Sequence, residues 1–512
     1  MKYFNYKIIS ISLILMFPLI SCDTEELVDL NVNPTAANEL DWRFLFTTGQ
    51  ARLSEQLYVN GRVHLNLPSG LIQQTATMDV GGERGSGDKY YRMIDAFDAF
   101  QITVPPDGLK SLAEVIRQTG PDGKNPTWSN LHNMAQVSYL YTMQIMTDLY
   151  GNVPYSEANR GVEGIFFPKY DSQESIYKDM LAKLEVAANT IGTGPDNVGP
   201  ADVIFDGDFT KWKKFTNALM LRMAMRVSNV DPALAQQYAQ KAISGGVMES
   251  NDDIALLPCS SGPSLWFNQN GLSRALIPSD WGARNMLSKT LVDFLQTRND
   301  PRLRIWAVRG IWGGPYLTDP ADQIGMPNGY DSETMKEYLG QTEPVDRENE
   351  FSRINPMLLD VDDPWIVMTA AESQFLLAEA ALKGWYNGNA EDHYRAGVKL
   401  AMQQWTAFDP SFVVTDGEVD AYLAANPFDG SAKMIGEQYW AANFMQWYEA
   451  YSNWRRTGYP ELTPVNYKGN ISGGQIFRRI EYSRSEVANN PNFKEGSTQP
   501  DDVMTRMWWD VN

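Results

Sequence analysis

The chain has 512 residues, a formal net charge of −20 at pH 7 and a hydrophobic fraction of 43%. An acidic surface argues against nucleic acid and anionic lipid as partners, because both carry the same sign of charge. Only two cysteines, Cys22 and Cys259, are present, so no disulfide framework is expected. The 15 Trp, 24 Tyr and 21 Phe beside 3 His indicate a binder of flat apolar faces rather than a metalloenzyme.

The first 22 residues predict an exported lipoprotein. Lys2 and Lys7 form a basic start, and the apolar run 8–20 is too short to span a bilayer, which is typical of a signal peptide. Leu19-Ile20-Ser21-Cys22 fits a lipobox, so we expect cleavage before Cys22 and attachment of diacylglycerol and an N-terminal acyl chain to it. The other interpretation is an ordinary secretory signal followed by a fortuitous cysteine.

A short acidic stretch, Asp23–Glu26, follows this cysteine. It resembles the export signal that directs some bacterial lipoproteins to the outer face of the outer membrane. A solvated tether has the same composition, and so short a stretch does not decide between the two.

Apolar residues at three-to-four spacing predict helices for much of the chain. Asp171, Asp208 and Asp231 are the expected N-caps. The predicted helices are 128–149, 172–190, 209–228, 232–245, 365–383, 390–405 and 432–456, of which 365–383 is apolar almost all round and is expected to be buried. Adjacent helices with short connectors indicate a loose tetratricopeptide-like hairpin repeat, and an unrelated set of antiparallel helices fits the same pattern.

Three regions are predicted to be rich in loops because Gly, Pro, Asn and Asp interrupt any long amphipathic pattern. They are residues 60–127, 251–364 and 457–512. A long loop-rich insert inside an ordered protein is usually functional, so we expect 251–364 to carry a binding surface.

A series of motifs runs in order from just after Cys22 to the end of the chain. They are LNVNPTA (30–36), MTDLYGNVPYSEA (146–158), FPKYDSQESIYKDMLAKLE (167–185), DGDFTKWKKFTNALMLRMAMRVS (206–228), MTAAESQFLLAEAALKGW (368–385), YEAYSNWRRTGYPELTP (448–464), FRRIEYSRSEVANN (477–490) and MWWD (507–510). Together they resemble the SusD/RagB family of nutrient-binding outer-membrane lipoproteins, particularly its SusD-like branch. Phe477 departs from the pattern, since the family often has Pro there.

The resemblance implies a mainly α fold, in which four tetratricopeptide-like helix pairs form a scaffold and a loop-rich, irregular part that binds the ligand packs on it. The expected layout is a signal peptide, 1–21, and one SusD-like domain, 22–512, with the scaffold at about 128–250 and 365–456 and the insert at about 251–364. The resemblance also implies a partner, a SusC-like TonB-dependent outer-membrane barrel that this protein would cover as a hinged lid. Family ligands are mostly oligosaccharides, with peptides in some members.

Ligand-contacting residues lie outside these motifs and must be chosen by their chemistry. Sugar rings stack their C–H faces on aromatic side chains, while sugar hydroxyls bind amides and charged groups. The candidates chosen on this basis are Trp266, Asn268, Trp281, Arg284, Trp312, Tyr316, Tyr90 and Tyr91. Each could instead pack over the scaffold, and we expect at least two of them near a surface pocket.

Charged residues within the apolar helices are predicted to be structural. Arg222 and Arg226 lie four apart on one helix, and Glu372 and Glu379 lie seven apart on another. Because buried charges are normally paired, we expect one of these glutamates to meet one of these arginines between neighbouring helix pairs. The doublets Arg455-Arg456 and Arg478-Arg479 are expected to be structural as well.

The sequence predicts neither a metal centre nor a cofactor. The three histidines are isolated and show no zinc-ligand spacing. Asp360 and Asp362 are weak candidates for a Ca²⁺ site, but they fit equally well as caps for the predicted helix near Trp365, which we favour. Glycine-rich nucleotide motifs and the GxSxG nucleophile motif are absent from the sequence.

We therefore expect a binding protein without catalytic activity that captures an oligosaccharide for a TonB-dependent transporter. A glycoside hydrolase remains open, because it needs only two carboxylates. A peptide-capturing member of the same family would instead have amide groups in a wider groove and fewer aromatic platforms. A purely structural surface protein, which would lack a well-formed pocket, is the remaining alternative.

Overall fold

Several helices begin at short polar side chains that accept hydrogen bonds from the first free backbone N–H groups. The computed structural model describes residues 41–54, 60–80, 87–262, 269–277, 285–493 and 499–512. In it, Asp208 accepts from the N–H groups of Thr210 and Lys211, and Asp231 accepts from that of Leu234. The N-caps predicted at Asp208 and Asp231 are thus confirmed.

The described part of the chain is mainly helical. Its α-helices are α1 (Trp42–Ala51), α2 (Pro68–Leu71), α3 (Ile94–Val104), α4 (Lys110–Thr119), α5 (Ser129–Tyr150), α6 (Gln173–Thr190), α7 (Phe209–Arg226), α8 (Pro232–Gly245), α9 (Gly271–Leu276), α10 (Lys289–Thr297), α11 (Leu303–Trp306), α12 (Ser332–Leu339), α13 (Arg347–Glu350), α14 (Ala370–Leu382), α15 (Ala390–Gln403), α16 (Asp416–Ala425), α17 (Ala432–Ala442), α18 (Trp447–Thr457) and α19 (Arg484–Asn489). Two π-helices, Asn60–Leu65 and Pro105–Leu109, and several short 3₁₀ turns connect them.

The strands are short and pair two by two. They are β1 (Thr75–Thr77), β2 (Val153–Pro154), β3 (Tyr170–Asp171), β4 (Ala255–Leu257), β5 (Asn285–Leu287), β6 (Ala307–Arg309), β7 (Ser352–Ile354) and β8 (Trp365–Met368). The antiparallel pairs are β1–β5, β2–β3, β4–β8 and β6–β7. Three of these pairs include strands from the loop-rich insert 251–364. The pair β1–β5 connects the insert to a segment before it, β4–β8 connects it to a segment after it, and β6–β7 lies within it.

Four helix pairs form the scaffold, as the resemblance to the SusD/RagB family implies. They are α5–α6, α7–α8, α14–α15 and α17–α18. Successive pairs stack in a row, because α6 packs on α7, α7 on α14, and α14 on α17. The mainly α, tetratricopeptide-like fold expected from the sequence is therefore confirmed.

Two predicted helices are wrong in part. Residues Trp365–Met368 form strand β8, which pairs with β4, and only Ala370–Leu382 is helical. The predicted helix 432–456 is two helices, because the chain reverses between them at Met445, whose φ is +66°. A continuous apolar run fits a buried strand as well as a buried helix, so the local pattern alone misassigns β8.

Three further sequence predictions need correction. The N-cap of α6 is Ser172, whose hydroxyl accepts from the Ser175 N–H, whereas Asp171 accepts from the N–H groups of Tyr155 and Ser156. Residues 60–127, predicted to be loop-rich, contain α3 and α4, and α4 packs between α1 and α5. The insert 251–364 is also less irregular than predicted, because it contains α10 and α12.

The described residues from Trp42 onward form one compact unit, with one large hydrophobic core and a smaller apolar cluster that includes Met286, Met326 and Phe351. The final described segment, 499–512, packs against the first helix pair. Trp509 is fully buried and its indole N–H donates to Asp148 on α5 at 3.0 Å. The Trp508 backbone N–H donates to the Gln173 side chain on α6 at 2.9 Å.

Candidate functional site

The buried charges of the scaffold form ion pairs between helix pairs. Arg222 on α7 binds Glu372 on α14 through two hydrogen bonds, Nε to Oε1 at 2.5 Å and Nη2 to Oε2 at 2.7 Å. Both side chains are almost completely buried. The expected pairing of one of the arginines with one of the glutamates is therefore present, and it joins the second helix pair to the third.

The other two predicted charges pair with residues that were not predicted as their partners. Arg226 binds Glu449 on α18 at 2.5 Å, and Glu379 binds Arg456 through hydrogen bonds of 2.6 and 2.7 Å. Burial works to raise the pKa of Glu379, but the Arg456 guanidinium outweighs it and holds that pKa below its ordinary value. All four predicted charges are thus engaged within the scaffold.

Four of the ligand candidates, Trp266, Asn268, Trp281 and Arg284, lie outside the described residues, as does the lipidation candidate Cys22. The described residues next to them belong to the loop-rich insert. Asn285, which follows Arg284, pairs with Thr77 across the β1–β5 sheet.

Tyr90 and Tyr91 are adjacent in the chain and have different surroundings. Tyr90 is only 1% exposed, its hydroxyl accepts from the Val465 N–H at 3.2 Å, and burial raises its pKa to about 12. Tyr90 therefore packs in the core and offers no ring face to a ligand, contrary to its choice as a candidate. Tyr91 is half-buried, and its ring lies against the backbone of Gly469.

Trp312 and Tyr316 share one tight turn. The turn is closed by two backbone hydrogen bonds between Arg309 and Leu317, of 3.0 and 2.9 Å. The Tyr316 hydroxyl accepts from the Gly313 N–H at 2.7 Å, which folds its ring over the turn. The Arg353 guanidinium lies 5.7 Å from the Trp312 ring centre, within range of a cation–π contact. Both aromatic residues are half-buried, so each retains some exposed surface.

A cleft of about 760 Å³ lies beside this turn. Its walls are the end of α10 with residues 298–304, the segment 319–321, and one face of α16. The Gln296 side chain donates to the carbonyls of Pro320 and Gln323, both at 2.9 Å, and so fixes the segment that follows the turn. The cleft and the aromatic turn are therefore joined by one short, braced segment, although none of the described candidates lines the cleft itself.

Most of the charges lining the cleft form ion pairs, whereas Asp319 is exposed and accepts a hydrogen bond from the Ala321 N–H. Arg304 binds Glu418 at 2.9 Å and also donates to the Val413 carbonyl at 2.8 Å. Arg298 binds Glu437 at 3.0 Å. The Asn299 side chain is exposed and makes no hydrogen bond with the described residues. The lining of the cleft thus combines apolar side chains, including Leu295, Leu303 and Tyr422, with charged and amide groups.

Sequence analysis missed this cleft because it missed α16. The signal was present, since Thr415 and Glu418 form a capping box at the start of the helix. Val419, Tyr422 and Leu423, which are the buried residues of α16, also have helical spacing.

The acidic run before β8 shows no metal-binding geometry. Asp362 accepts from the Ser261 hydroxyl at 3.0 Å, and Asp363 accepts from the Asp360 N–H at 2.8 Å. Since β8 is a strand, Asp360 and Asp362 cap no helix there, contrary to the interpretation favoured from the sequence. Among the described residues, no group of three or more His, Cys, Asp or Glu side chains could hold a metal ion.

Comparison with known proteins decides the family. Residues 34–483 match the family described as starch-binding and associating with the outer membrane, a SusD-like family. The chain belongs to this family.

Solved structures of other SusD-like proteins match nearly the whole chain. A chitin-binding protein is 31% identical with a TM-score of 0.80, covering 92% of this chain and 100% of its own. A chitin-binding SusD homologue from Flavobacterium johnsoniae is 25% identical with a TM-score of 0.74, covering 92% and 99%. A SusD homologue from Bacteroides uniformis is 25% identical with a TM-score of 0.75, covering 93% and 100%. No curated protein matches the chain.

Membership of the SusD-like family supports glycan or nutrient binding and association with the outer membrane. Among the residues that the structure describes, no helix is both long enough and apolar enough to cross a membrane.

Proposed function

We propose that this SusD-like protein is a lipid-anchored, surface-exposed lipoprotein that binds an oligosaccharide and delivers it to a TonB-dependent outer-membrane transporter. The observation that carries the proposal is the full-length similarity to a chitin-binding protein, at 31% identity. The aromatic turn supports it, because it carries the partly exposed rings of Trp312 and Tyr316 and is connected through the segment 319–321 to a cleft large enough for a small ligand.

Binding would be reversible and would make or break no covalent bond. Aromatic faces would stack on the C–H faces of sugar rings, and polar side chains would bind hydroxyl and acetamido groups. Chitin oligosaccharides are the first ligands to test, because two of the similar structures are described as chitin-binding. Trp266, Trp281 and Trp312 are the proposed stacking residues.

The test is calorimetry on the mature chain without its lipid, residues 23–512, with chitin oligosaccharides, other oligosaccharides and peptides, followed by product analysis. Trp312→Ala is expected to weaken oligosaccharide binding about threefold to tenfold, as loss of one stacking contact predicts. Trp266→Ala and Trp281→Ala test the other two residues in the same way. Trp385→Ala is the matched control, because this half-buried tryptophan belongs to the connection between α14 and α15.

Other outcomes of this experiment would replace the proposal. Cleavage of the oligosaccharide would identify a glycoside hydrolase, which requires two carboxylates about 5–9.5 Å apart. Saturable binding of peptides, with no binding of oligosaccharides, would identify a peptide-capturing member of the family.

The proposed barrel partner is supported by an exposed apolar loop between β2 and β3. Val162, Phe166 and Phe167 are 72%, 74% and 54% exposed, respectively. Contiguous apolar side chains in water usually mark a protein or membrane contact. We assign this loop to the interface with the TonB-dependent barrel, over which the protein would act as a lid.

Co-purification from detergent-solubilised outer membranes tests this interface, with the barrel identified by mass spectrometry. The double variant Phe166→Ser/Phe167→Ser is expected to recover at least several-fold less barrel than the wild type. Val186→Ser, at an exposed valine on α6, is the control and should recover a normal amount. Equal recovery by all three proteins would refute the role of the loop.

A further inference from the structure

Four tyrosines from three distant segments meet at one region of the surface. We call Tyr91, Tyr330, Tyr338 and Tyr467 the tyrosine patch. The Tyr467 hydroxyl donates to Asp331, the residue after Tyr330, at 2.7 Å. The rings of Tyr330 and Tyr338 have centres 5.0 Å apart and planes inclined by 57°. The patch joins α12 and the residues just before it, the loop 465–475, and the residue that follows Tyr90.

Tyr91 is held against the same loop. A Cβ built on Gly469 would lie 3.2 Å from the Tyr91 ring, so the ring rests directly on the glycine backbone. Gly469 has a φ of +93°, a conformation that disfavours other residues. The backbone angle favours glycine here, and a larger residue would also press against the Tyr91 ring.

The hydroxyls and ring surfaces of the patch are available to a ligand. Tyr338 is 48% exposed, and the other three tyrosines are half-buried. The hydroxyls of Tyr91, Tyr330 and Tyr338 make no hydrogen bond with any described residue. Each of these hydroxyls can therefore still donate and accept a hydrogen bond, and each lies on a ring that is partly exposed to solvent.

The framework under the patch is tightly hydrogen-bonded. Asp331 accepts from the backbone N–H groups of Glu333 and Thr334, at 3.0 and 2.8 Å, as well as from Tyr467. In the loop 465–475, Asn470 accepts from the Ser472 and Gly474 N–H groups at 3.2 and 2.8 Å. A rigid platform loses little conformational entropy on binding, so even a small aromatic surface supports measurable affinity.

The surroundings favour a neutral polar ligand over a protein surface. The neighbouring exposed side chains are Glu337, Asn466 and Lys468, which are charged or polar. A stable protein interface buries roughly 800 Å² on each partner around an apolar centre. Inclined aromatic rings with free hydroxyls and a mixed-charge rim match a sugar ring instead, which stacks through C–H groups and hydrogen-bonds around its edge.

We infer that the tyrosine patch is a carbohydrate-binding subsite, separate from the aromatic turn of Trp312 and Tyr316, that takes one or two rings of a neutral oligosaccharide. This inference rests on the proposed function for the class of ligand. Tyr330 and Tyr338 provide the stacking surface, while Tyr91 and Tyr467 border it.

The test is ¹⁹F NMR of the mature chain, residues 23–512, labelled with 3-fluorotyrosine. Signals of Tyr330, Tyr338 and the control Tyr386 are assigned by the loss of one resonance in each Tyr→Phe variant. Tyr386 is half-buried near His393 on the scaffold. During titration with chitotetraose and then maltotetraose to millimolar concentration, the Tyr330 and Tyr338 signals are expected to shift saturably with at least one sugar, and the Tyr386 signal should stay unchanged.

Unchanged Tyr330 and Tyr338 signals with both sugars would overturn the inference, whatever calorimetry gives. Calorimetric binding without these shifts would leave the proposed function standing and remove the subsite. Shifts without calorimetric binding would support the subsite and count against high-affinity capture. When both are seen, Tyr338→Ala is expected to weaken the longest oligosaccharide about threefold to tenfold, and unaltered affinity would contradict the stacking role.

Discussion

His64 shows how the scaffold keeps an ionisable side chain neutral. Its ring lies among Trp365, Trp447 and Tyr448, with ring centres 5.5, 5.0 and 4.4 Å away. The Trp447 N–H donates to Nε2 at 2.9 Å, so the neutral ring carries its proton on Nδ1. Burial lowers the pKa of His64 to about 3, since a charged imidazolium would be poorly solvated there.

Because His64 is buried and neutral, it contributes to the loss of folding stability at acidic pH. Below pH 6.5 His64 binds a proton in the unfolded chain, whereas in the native protein it stays neutral down to about pH 3. The free energy of unfolding therefore falls as the pH decreases through this range. His64→Gln, whose side-chain oxygen can accept from the Trp447 N–H, should flatten the fall by up to about 1.4 kcal/mol per pH unit. Urea unfolding at pH 7, 6 and 5 measures this.

The control is His393→Gln, at a half-buried histidine, which should change the pH dependence less. Asp148, Arg222 and Glu449 lie close to His64 and are retained in both variants, so the difference between the variants reports on the histidines. The same pH dependence in the wild type and His64→Gln would contradict the assignment.

Adjacent residues also mark the limit of residue-level prediction. Tyr90 and Tyr91 follow the same Gly-rich sequence and have the same chemistry, yet one is in the core and the other is at the surface. What separates them is the loop 465–475, which binds the Tyr90 hydroxyl and carbonyl. That contact joins residues far apart in the chain, and no local pattern contains it.

At the scale of elements, ion pairs link helices whose facing surfaces are otherwise apolar. Glu372→Ala should leave the buried Arg222 charge without its main partner and reduce the free energy of unfolding by about 3–5 kcal/mol. The loss should lie near the lower end of this range, because Glu449 lies 3.5 Å from Arg222 and still pairs with it. The double variant Arg222→Met/Glu372→Leu should lose less, since it leaves no charge unpaired. Chemical denaturation measures both, and a greater loss in the double variant would refute this account.

Helix ends were predictable where the signal is local. Asp208 and Asp231 precede apolar periodic runs, and their side chains cap α7 and α8 as the sequence indicates. Strand β8 was not predictable in this way, because its identity depends on pairing with β4, more than one hundred residues earlier. The break between α17 and α18 at Met445 was not predictable either, because methionine rarely adopts a positive φ and the neighbouring residues show no turn signal.

In the candidate site too, features within one segment were predictable from the sequence, whereas features built from several segments were not. The aromatic turn was predicted as a candidate from composition, and both of its rings lie on one element. The cleft beside it was not predicted, because it forms only when α10, the segment 319–321 and α16 come together. The tyrosine patch likewise depends on three segments that meet only in the folded chain.

At the scale of the whole molecule, two cysteines offer a direct test of the proposed anchor. Cys22→Ala should remove the lipid attachment and shift the protein from the outer-membrane fraction to the soluble fraction, since acyl chains provide the proposed membrane affinity. Cys259→Ala is the matched control, because Cys259 is a half-buried thiol within the fold. Cell fractionation with immunoblotting measures both. Association of the Cys22→Ala protein with the outer membrane, after cleavage of its signal peptide, would refute the lipid anchor.

The packing of residues 499–512 on the first helix pair constrains how the protein is made. Asp148 and Gln173 are synthesised long before their partners Trp509 and Trp508, which follow more than three hundred residues later. While the chain is synthesised and exported, the surface that Trp509 will cover therefore remains exposed on α5. Apolar surface that is exposed during folding makes a chain prone to aggregation, which chaperones counteract. The same delay would keep α5 and α6 loosely packed, and thus able to pass through a secretion channel, until residues 499–512 emerge.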